Sequence, residues 1–374
     1  MARSLAYQPS NALNAICPYF TMFPLEYPLR VLRGHKAAAP VVMDPFCGRG
    51  TTLFAARKLG LASRGIDASP VAVAVAQAKL AKIDTAAVLA LASTLMKTHA
   101  GAKAPKSEFF KHAFAPGTLA AISAIRSGLL GLTRQSDASV VLRATMLGCL
   151  HGPTNSLNQS VSYFSNQMPR TFAPKPDYAL RFWAQRKLVP SEAQVMQVLA
   201  RKLSRLEHSD LPSDVRFANA RFGDSRFASA LPERMRDFSV VVTSPPYYGM
   251  KTYVQDQWLR NWFLGGPEVI DYVNDLQLSH TGVDAFAASL GKVWRNMART
   301  KADELDMHIR FGIIPSCKVS AKDIVLSSLE DSGAQWKLLK VRAAKTASSG
   351  KRQADQMAAG SAASVEYDFH VKRI

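Results

Sequence analysis

Hydrophobic residues along the first part of the chain follow the pattern of alternating strands and helices. Residues 41–44 (VVMD) have the composition of a buried parallel strand, and they lead through a turn with two glycines into a predicted helix over residues 51–59. The segment ASRGID then predicts a second strand, and SPVAVAVAQAKLAK predicts a second helix. This order predicts a right-handed crossover and a doubly wound, mostly parallel α/β sheet.

The middle of the chain lacks strand patterns. Residues 85–205 are rich in Ala and Leu, with helical spacing over 118–132 and 140–150 and an irregular polar and aromatic stretch over 152–187. Irregular loops of that length inside a domain are usually functional. We therefore predict a mainly helical insertion with a long functional loop over residues 85–205, which divides the α/β domain into residues 1–84 and 206–374.

The α/β pattern returns after residue 205. Strands are predicted for VRFANARFGD, for DFSVVVTSPPYY as far as Pro245, and for HIRFGIIPS, with helices over residues 257–263 and 284–298 and over AKDIVLSSLEDSG. The last two strands, WKLLKVRAA and VEYDFHVKRI, are joined by a small, polar and basic loop rather than by a helix. They therefore predict a hairpin with an antiparallel C-terminal strand.

Net charge narrows the range of partners. The 374 residues contain 47 Lys and Arg against 28 Asp and Glu, which gives a formal net charge of +19. A field of this sign attracts polyanions, so nucleic acid is the expected partner, and a basic surface that only maintains solubility is the alternative. An anionic membrane is less favoured because no basic amphipathic helix stands out.

Cysteine and histidine positions argue against a metal. The 4 cysteines lie far apart without a CxxC pair, and the 8 histidines show no ligand spacing such as HExxH. No run approaches the roughly 18 apolar residues of a membrane span. We expect a cytoplasmic protein in a reducing compartment, with no metal and no membrane partner.

The segment DPFCGRGTT, residues 44–52, carries the first chemical signal. A strand end, two glycines and a helix start let the backbone approach a ligand at the carboxyl edge of a sheet. Asp67 follows the second predicted strand, where a carboxylate can accept hydrogen bonds from both ribose hydroxyls. Leu53 takes the place of the third glycine of the dinucleotide motif, so a nucleoside without a pyrophosphate is favoured. The alternative is a glycine turn that only permits tight packing.

The segment TSPPY, residues 243–247, carries the second signal. Two prolines directly after the strand VVV force the chain out at the sheet edge. There Ser244 and the carbonyl of Pro245 can accept hydrogen bonds from an amino group, and Tyr247 can stack on a base. Accepting both amino hydrogens directs the nitrogen lone pair of cytosine or adenine toward an electrophilic methyl group. The alternative is a rigid surface turn or a polyproline II ligand.

Together, DPFCGRGTT and TSPPY resemble motifs I and IV of the amino-methyltransferases that act on DNA at cytosine N4 or adenine N6. The resemblance implies a class I methyltransferase fold, S-adenosyl-L-methionine as cofactor, and a target base flipped out of the duplex. It assigns catalysis to Ser244, Pro245, Pro246 and Tyr247. It assigns cofactor binding to Asp44, Phe46, Gly48, Gly50, Thr51, Asp67, Asp224, Ser225 and Phe20.

Two of these assignments have structural alternatives. Asp224 has the alternative of an exposed turn aspartate, and Phe20 has the alternative of core packing. The insertion precedes Asp224 instead of lying between Asp224 and Ser244, which departs from the usual layout of the resembled family.

Residues 162–187, SYFSNQMPRTFAPKPDYALRFWAQRK, interleave basic and aromatic side chains and form the predicted DNA-recognition segment. The residues expected to contact DNA are Tyr163, Arg170, Lys175 and Arg181, together with Tyr253 after the catalytic segment. Further candidates for contacts with bases are Asn166, Gln167 and Gln257. Core packing is the alternative for Phe182 and Trp183, and it is the favoured prediction for Trp258 and Trp262.

The predicted function is site-specific methylation of an exocyclic amine in double-stranded DNA, an activity whose natural partner would be a cognate restriction endonuclease. Cytosine N4 is favoured because Ser before Pro-Pro-Tyr tends to accompany cytosine in the resembled family, whereas Asp or Asn tends to accompany adenine. Adenine N6 is the first alternative. An RNA guanine-N2 or protein amide methyltransferase and a non-catalytic basic DNA-binding protein are the others.

Overall fold

The computed structural model describes residues 9–18, 24–35, 39–153, 162–206, 218–249, 255–270, 272, 278–279, 281–313, 317, 319–344 and 366–374. Within these residues one sheet contains the strands β1 (Val42–Asp44), β2 (Ser63–Asp67), β3 (Asn219–Phe222), β4 (Val240–Thr243), β5 (Asp306–Gly312), β6 (Trp336–Ala343) and β7 (Glu366–Arg373). Their order across the sheet is β3-β2-β1-β4-β5-β7-β6.

All neighbouring strands are parallel except at β7, which runs antiparallel to both β5 and β6. This is the strand order of class I methyltransferases. It confirms the predicted doubly wound, mostly parallel sheet and the antiparallel C-terminal strand. The loop predicted over 346–364 lies outside the described residues.

The described helices are α1 (Glu26–Arg33), α2 (Thr51–Lys58), α3 (Pro70–Leu80), α4 (Thr85–Thr98), α5 (Glu108–Ala113), α6 (Pro116–Leu130), α7 (Asp137–Cys149), α8 (Pro176–Gln185), α9 (Val195–Ser204), α10 (Trp258–Phe263), α11 (Val283–Met297) and α12 (Ala321–Asp331). Short 3₁₀ helices occupy Pro9–Ala15, Ala228–Ala230, Glu233–Met235 and Gln255–Gln257. No helix among the described residues is long and apolar enough to cross a bilayer.

Helix α8 corrects one prediction. Residues 152–187 are predicted to be irregular, but the structure has a helix within them over Pro176–Gln185. Pro176 occupies the first helical turn, where its missing N–H costs nothing. Ala179 and Trp183, four residues apart, form the buried face of the helix. Two buried positions within this helix form too weak a hydrophobic period for the helix to be predicted from the sequence.

The sheet separates two hydrophobic cores. Val42 and Val240 face the side covered by α1 to α3 and by α4 to α10, whereas Met43 and Val241 face the side covered by α11 and α12. Alternate residues of a strand point to opposite faces, which explains this division. Because the helices of the insertion share the first core with β1 and β4, the insertion packs directly onto the sheet.

The insertion is attached at the edge of the sheet that lies away from the predicted site. Strand β2 ends at Asp67, and α3 runs back from Pro70 to Leu80, with Ser69 accepting a hydrogen bond from the Ala72 N–H at its start. Helices α4 to α9 follow, and β3 then runs parallel to β2 toward the predicted site. The end of α3 and the start of β3, between which the insertion lies in the sequence, are therefore at the amino edge of the parallel strands. The domain boundaries at residues 84 and 205 stay a prediction.

Candidate active site

The two predicted motifs lie side by side at the carboxyl edge of the sheet. Strands β1 and β4 are parallel neighbours, with Val42 opposite Val240 and Met43 opposite Val241. The Thr243 hydroxyl donates a 2.7 Å hydrogen bond to Asp44 Oδ1, across 199 positions of sequence. The segments that follow, DPFCGRGTT and TSPPY, therefore leave the same edge from adjacent strands.

Left-handed backbone shapes the turn after β1. Gly48 has φ +49° and Gly50 has φ +77°, conformations that side chains other than glycine's rarely adopt. A Cβ on Gly50 would also lie 2.9 Å from Ala76 of α3, so the turn packs tightly there. A Cβ on Gly48 would meet only the Phe46 carbonyl, at 4.0 Å. The turn is thus closed toward α3 and open at Gly48, where a ligand can approach the backbone.

Asp67 is held against this turn by backbone donors. The Gly48 N–H donates to Asp67 Oδ2 at 2.8 Å, and the Ser69 N–H donates to Oδ1 at 2.9 Å. Burial nevertheless raises the pKa of Asp67 to about 6, because removing water penalises the charged carboxylate more than these donors stabilise it. The carboxylate lies where the resemblance expects a ribose to bind.

Asp44 is fully buried at the end of β1. Its Oδ1 accepts hydrogen bonds from the Thr243 hydroxyl and the Phe46 N–H, but Oδ2 accepts none from the described residues. Burial raises the pKa of Asp44 to about 6. A buried carboxylate with an unsatisfied oxygen favours a cationic ligand, because a positive group compensates for the lost solvation.

Thr51 and Phe46 have structural contacts at the same turn. Thr51 is buried at the first position of α2, where the first N–H groups of the helix lack intrahelical partners. Phe46 is half-buried and packs edge-on against Trp294 of α11, with ring centroids 6.3 Å apart. The turn after β1 is therefore packed against elements on both faces of the sheet.

The turn after β3 joins the same site. The Ser225 hydroxyl donates to the Pro45 carbonyl at 2.7 Å, and Asn296 donates to the Ser225 carbonyl at 2.9 Å. The Asp224 carboxylate is bound by Arg226, with Nη2 and Oδ2 2.6 Å apart, and its side chain is 9% exposed. Asp224 is therefore not an exposed turn aspartate, and the Ser225 hydroxyl ties this turn to the turn after β1.

Sequence reasoning missed two aromatic residues here. Phe222 and Phe227, on either side of Asp224, are 51% and 59% exposed. The two rings are exposed on either side of the aspartate, and the Arg226 guanidinium lies 5.9 Å from the centre of the Phe227 ring. The available signal was the pair of phenylalanines flanking Gly-Asp in RFGDSRF.

The segment TSPPY is anchored by the hairpin at the other side of the site. Pro245 is buried, and Ser244, Pro246 and Tyr247 are half-buried. The Tyr247 hydroxyl donates a 2.7 Å hydrogen bond to Glu366 Oε1, at the start of β7. The ring lies edge-on to Phe311, with centroids 5.8 Å apart, and over Gly312, where a Cβ would lie 3.1 Å from the ring. Glu366 is a site residue that the sequence analysis did not identify, since nothing in the sequence pairs β7 with this segment.

The predicted DNA-contacting residues have different exposures. Arg170, Lys175 and Arg181 are exposed, whereas Tyr163 is half-buried with its ring against Gly152. On α8, the Tyr178 and Phe182 rings are stacked with centroids 6.3 Å apart, and the Arg186 guanidinium lies 4.0 Å from the centre of the Phe182 ring. Tyr178, Arg181 and Arg186 are exposed, whereas Phe182 is half-buried and packs against the first core.

Two predicted base contacts are wrong. Asn166 is buried and donates to the His112 and Leu188 carbonyls, and Gln257 is buried and donates to the Thr171 carbonyl. Both amides are used for internal hydrogen bonds, so neither can contact a base.

Core packing holds for all three tryptophans in question. Trp183, Trp258 and Trp262 are buried, which confirms the core packing favoured for Trp258 and Trp262. Phe182 is half-exposed. Phe20 and Tyr253 lie outside the described residues. Within the described ranges, no group of three or more His, Cys, Asp or Glu residues is placed to hold a metal ion.

Comparison with known proteins gives sequence matches to the N-terminal part of the chain. A model of the N6/N4 DNA methylase family matches residues 4–78, which include both Asp44 and Asp67. The Type II methyltransferase M.MjaII of Methanocaldococcus jannaschii is 36% identical over 72 residues. Those residues are 19% of this chain and only 14% of that relative's length.

Solved structures show remote likeness over most of the chain. The rRNA methyltransferase aviRa from Streptomyces viridochromogenes has a TM-score of 0.33 and 13% identity, covering 99% of this chain and 95% of that chain. A structure from the conversion of a disulfide bond into a thioacetal group during echinomycin biosynthesis has a TM-score of 0.31 and 10% identity, covering 92% and 80%. Residues 4–78 thus resemble the N6/N4 DNA methylase family, and the strand order is that of a class I methyltransferase.

Proposed function

We propose that this chain transfers a methyl group from S-adenosyl-L-methionine to the exocyclic amine of a flipped base in double-stranded DNA, with cytosine N4 as the favoured target. The observation that carries the proposal is the hydrogen bond between Thr243 and Asp44. It joins the cofactor motif and the Ser-Pro-Pro-Tyr segment on adjacent strands, so that a donor bound at one faces an acceptor held by the other.

The residues of the cofactor turn fit S-adenosyl-L-methionine. The unsatisfied Oδ2 of Asp44 suits the cationic methionine end, and Asp67 suits the ribose. The exposed Phe222 and Phe227 suit the adenine ring beside Asp224, whose carboxylate would be shared with Arg226. When bound, the cofactor supplies an electrophilic methyl group on sulfur.

The Ser-Pro-Pro-Tyr segment supports amine activation. Ser244 and the Pro245 carbonyl would accept the two hydrogens of the target amine and aim its lone pair at the methyl group. The Tyr247 ring would stack on the base, while Glu366 and Gly312 fix the plane of that ring before the base arrives. The rate gain would come mainly from positioning and from oriented acceptors that replace water.

Cytosine is favoured over adenine because Ser244 occupies the position at which the resembled family tends to carry Asp or Asn for adenine. Adenine N6 methylation is the second candidate, since it requires the same acceptors and the same stacking ring. Nucleic acid is favoured over a protein substrate by the exposed basic and aromatic face of α8.

Methyl transfer from a radiolabelled donor to duplex DNA, tRNA and a protein mixture tests the proposal. We expect labelled duplex DNA, and mass analysis of the digested nucleosides is expected to give N4-methylcytosine. Ser244→Ala should reduce the rate at least about 100-fold while the Kd of S-adenosylhomocysteine stays within about twofold. Label found only in tRNA or only in protein would show that duplex DNA is not the substrate, and N6-methyladenine in the digest would show that the target base is adenine. Unchanged turnover in the Ser244→Ala variant would show that Ser244 has no catalytic role.

A further inference from the structure

Helix α8 presents a row of long side chains along its outer face. A surface pocket of about 180 Å³ follows this face, and its described lining comes from α8 and the residue after it: Tyr178, Arg181, Phe182, Gln185 and Arg186. Arg181 and Gln185 are exposed, and within the described residues no hydrogen bond or ion pair engages the guanidinium of the one or the side-chain amide of the other. Their polar groups are therefore available to a partner.

Arg181 lies at the centre of this outer face. The buried face is marked by Ala179 and Trp183, and each is two residues, about 200° of helix rotation, away from Arg181. Tyr178 lies one turn before Arg181 and Gln185 one turn after it, so the three share one side of the helix. Recognition helices use spacings of three and four residues to place side chains on successive bases in the major groove of DNA.

The inner face of α8 is held rigidly. Trp183 Nε1 donates a 2.7 Å hydrogen bond to Gln167 O, and the indole packs against Phe109 of α5, with ring centroids 5.6 Å apart. Phe109 in turn lies edge-on to Trp258 of α10, with centroids 4.7 Å apart. The outer row is therefore in place before a ligand binds, which reduces the entropy lost on binding.

The segment before α8 starts beside the candidate active site. Three hydrogen bonds tie residues 171–174 to α10 and to the 3₁₀ turn before it: Thr171 O accepts from Gln257 at 3.2 Å, the Ala173 N–H donates to Asp256 O at 3.0 Å, and Pro174 O accepts from Trp258 Nε1 at 3.2 Å. Thr171 also borders a cavity together with Arg49 of the turn after β1. DNA that contacts α8 is therefore close to the carboxyl edge of the sheet.

The end of α8 keeps a cation in an unfavourable backbone conformation. The Lys187 N–H donates to Ala184 O at 3.1 Å and the Leu188 N–H donates to Trp183 O at 2.9 Å, which is the Schellman pattern of helix ends. The residue in the left-handed conformation of this pattern is usually glycine, but Lys187 occupies it with φ +51°. Such strain persists mainly at functional positions. Here it keeps a second cation next to Arg186.

Charge along this segment is complementary to DNA. From residue 175 to residue 187 the cations outnumber the carboxylates, with Lys175, Arg181, Arg186 and Lys187 against Asp177. Asp177 lies in the first turn of α8, where a carboxylate interacts favourably with the helix dipole. The cations are spread along the whole helix, so an extended polyanion is the matching partner.

We infer that α8 enters the major groove of duplex DNA and selects the sequence that is bound, with Arg181 contacting a guanine and Gln185 an adenine in a neighbouring base pair. The inference rests on the proposed function and extends it from a class of substrate to the residues that choose the sequence. Arginine forms two hydrogen bonds with guanine O6 and N7, and glutamine does so with adenine N6 and N7. Arg186 and Lys187 contact the phosphate backbone at the end of the helix.

Selection from a pool of randomised duplexes tests the inference without requiring turnover. The wild-type chain and Arg181→Ala, each saturated with S-adenosylhomocysteine, are used to recover bound DNA for sequencing. We expect the wild type to enrich a guanine and an adenine in neighbouring base pairs, and Arg181→Ala to lose only the guanine preference. On the enriched duplex the variant should bind about 5- to 150-fold more weakly, whereas on a duplex with that guanine replaced the two proteins should agree within about threefold.

Two further variants separate base contacts from charge and from folding. Arg134→Ala removes an exposed arginine between α6 and α7 and should enrich the same sequence as the wild type. Lys187→Gly relieves the positive φ, so its melting temperature should equal or exceed that of the wild type. The loss of a phosphate contact in Lys187→Gly should nevertheless weaken binding to every duplex by a similar factor.

The outcomes distinguish this inference from the proposed function. A wild-type pool without an enriched sequence, or an unchanged preference in Arg181→Ala, would overturn the role of α8. Tighter binding of tRNA than of every duplex would overturn it as well. If sequence selection depended on Arg181 but the wild-type chain methylated no DNA, the proposed function would fail and α8 would remain the recognition helix.

Discussion

For individual residues at the carboxyl edge of the sheet, the sequence predicts the chemical type of the site but not which side chains contact each other. The string DPFCGRGTT and the aspartate after the next strand predict the cofactor turn, because only a few residue types fit such a turn. The sequence cannot show that Thr243 donates to Asp44 or that Tyr247 is anchored by Glu366, because these pairs are brought together by strand order. Asn166 was misread for the same reason, since its type suits base recognition but its position is buried.

The charge of Asp44 should destabilise the cofactor-free protein. Its folded pKa, about 6, lies above the ordinary value near 3.8, so the native state binds the proton more tightly than the unfolded state. The resulting stability is fully present below about pH 4 and is lost as pH rises through 6. Asp44→Asn stays neutral and keeps an acceptor for Thr243, so its melting temperature at pH 7.5 should exceed that of the wild type by a few degrees.

Calorimetric melts at pH 4 and pH 7.5 check this, and the difference should vanish at pH 4. The same variant should bind S-adenosyl-L-methionine at least about tenfold more weakly at pH 7.5, because the cationic end loses its counter-charge. A variant that melted below the wild type at pH 7.5 would show that the native state stabilises the ionised carboxylate.

At Tyr247 the ring, rather than the hydroxyl, should carry the catalytic contribution. Tyr247→Phe loses the hydrogen bond to Glu366 but keeps the ring over Gly312, so kcat should fall less than about tenfold. Tyr247→Ala removes the stacking surface, and kcat should fall more than about 100-fold. Single-turnover methyl transfer measures both, with S-adenosylhomocysteine affinity as the control. Equal losses in the two variants would assign the role to the hydroxyl.

Strands and helices with a strong hydrophobic period can be predicted from the sequence, whereas elements whose position depends on tertiary contacts cannot. The strands around VVMD and VVV and the terminal hairpin follow from their hydrophobic runs. Helix α8 was missed because only Ala179 and Trp183 mark its inner face, while its outer face carries the charges and rings that suggested a loop. The contacts that fix residues 171–174 to α10 join segments far apart in sequence, so no local sequence pattern predicts them.

This attachment should control how readily the recognition segment opens. Gln257→Met keeps the volume of the side chain but removes the donor to Thr171 O and the acceptor for Arg260. The buried guanidinium then lacks one partner, so we expect a loss of about 1–3 kcal/mol in unfolding free energy. Urea denaturation measures that loss, and trypsin should cut after Arg170 several times faster. Gln185→Met, on the exposed face of α8, is the matched control and should change neither; unchanged cleavage in Gln257→Met would show that the attachment does not limit opening.

For the whole molecule, one core spans the sheet and the insertion. Val42 and Val240 of the sheet belong to the same cluster of buried residues as Trp183 and Trp262, so the helices between α3 and β3 have no separate core of their own. The composition shows how many apolar residues the chain contains, but it does not show that residues of the sheet and of the insertion pack into the same core. Sharing makes separate unfolding of the insertion costly, since it would expose one face of the sheet.

Unfolding should therefore be a single transition. Far-UV circular dichroism reports mainly the helices, and tryptophan fluorescence reports both cores, because Trp294 lies in the second one. We expect the two urea curves to coincide within error for the cofactor-free chain. Trp294→Phe would leave a fluorescence signal from the first core, and this signal should give the same midpoint as that variant's circular dichroism curve. Separated midpoints would define an independently folding unit.

Attachment of the insertion at the far edge of the sheet has a consequence for how its length can vary. Because α3 ends and β3 begins away from the carboxyl edge of the parallel strands, changes in length at these two points should leave the segments DPFCGRGTT and TSPPY in place. Exchange of the whole insertion would require more, because the incoming helices would have to match the core that Val42 and Val240 share with Trp183 and Trp262.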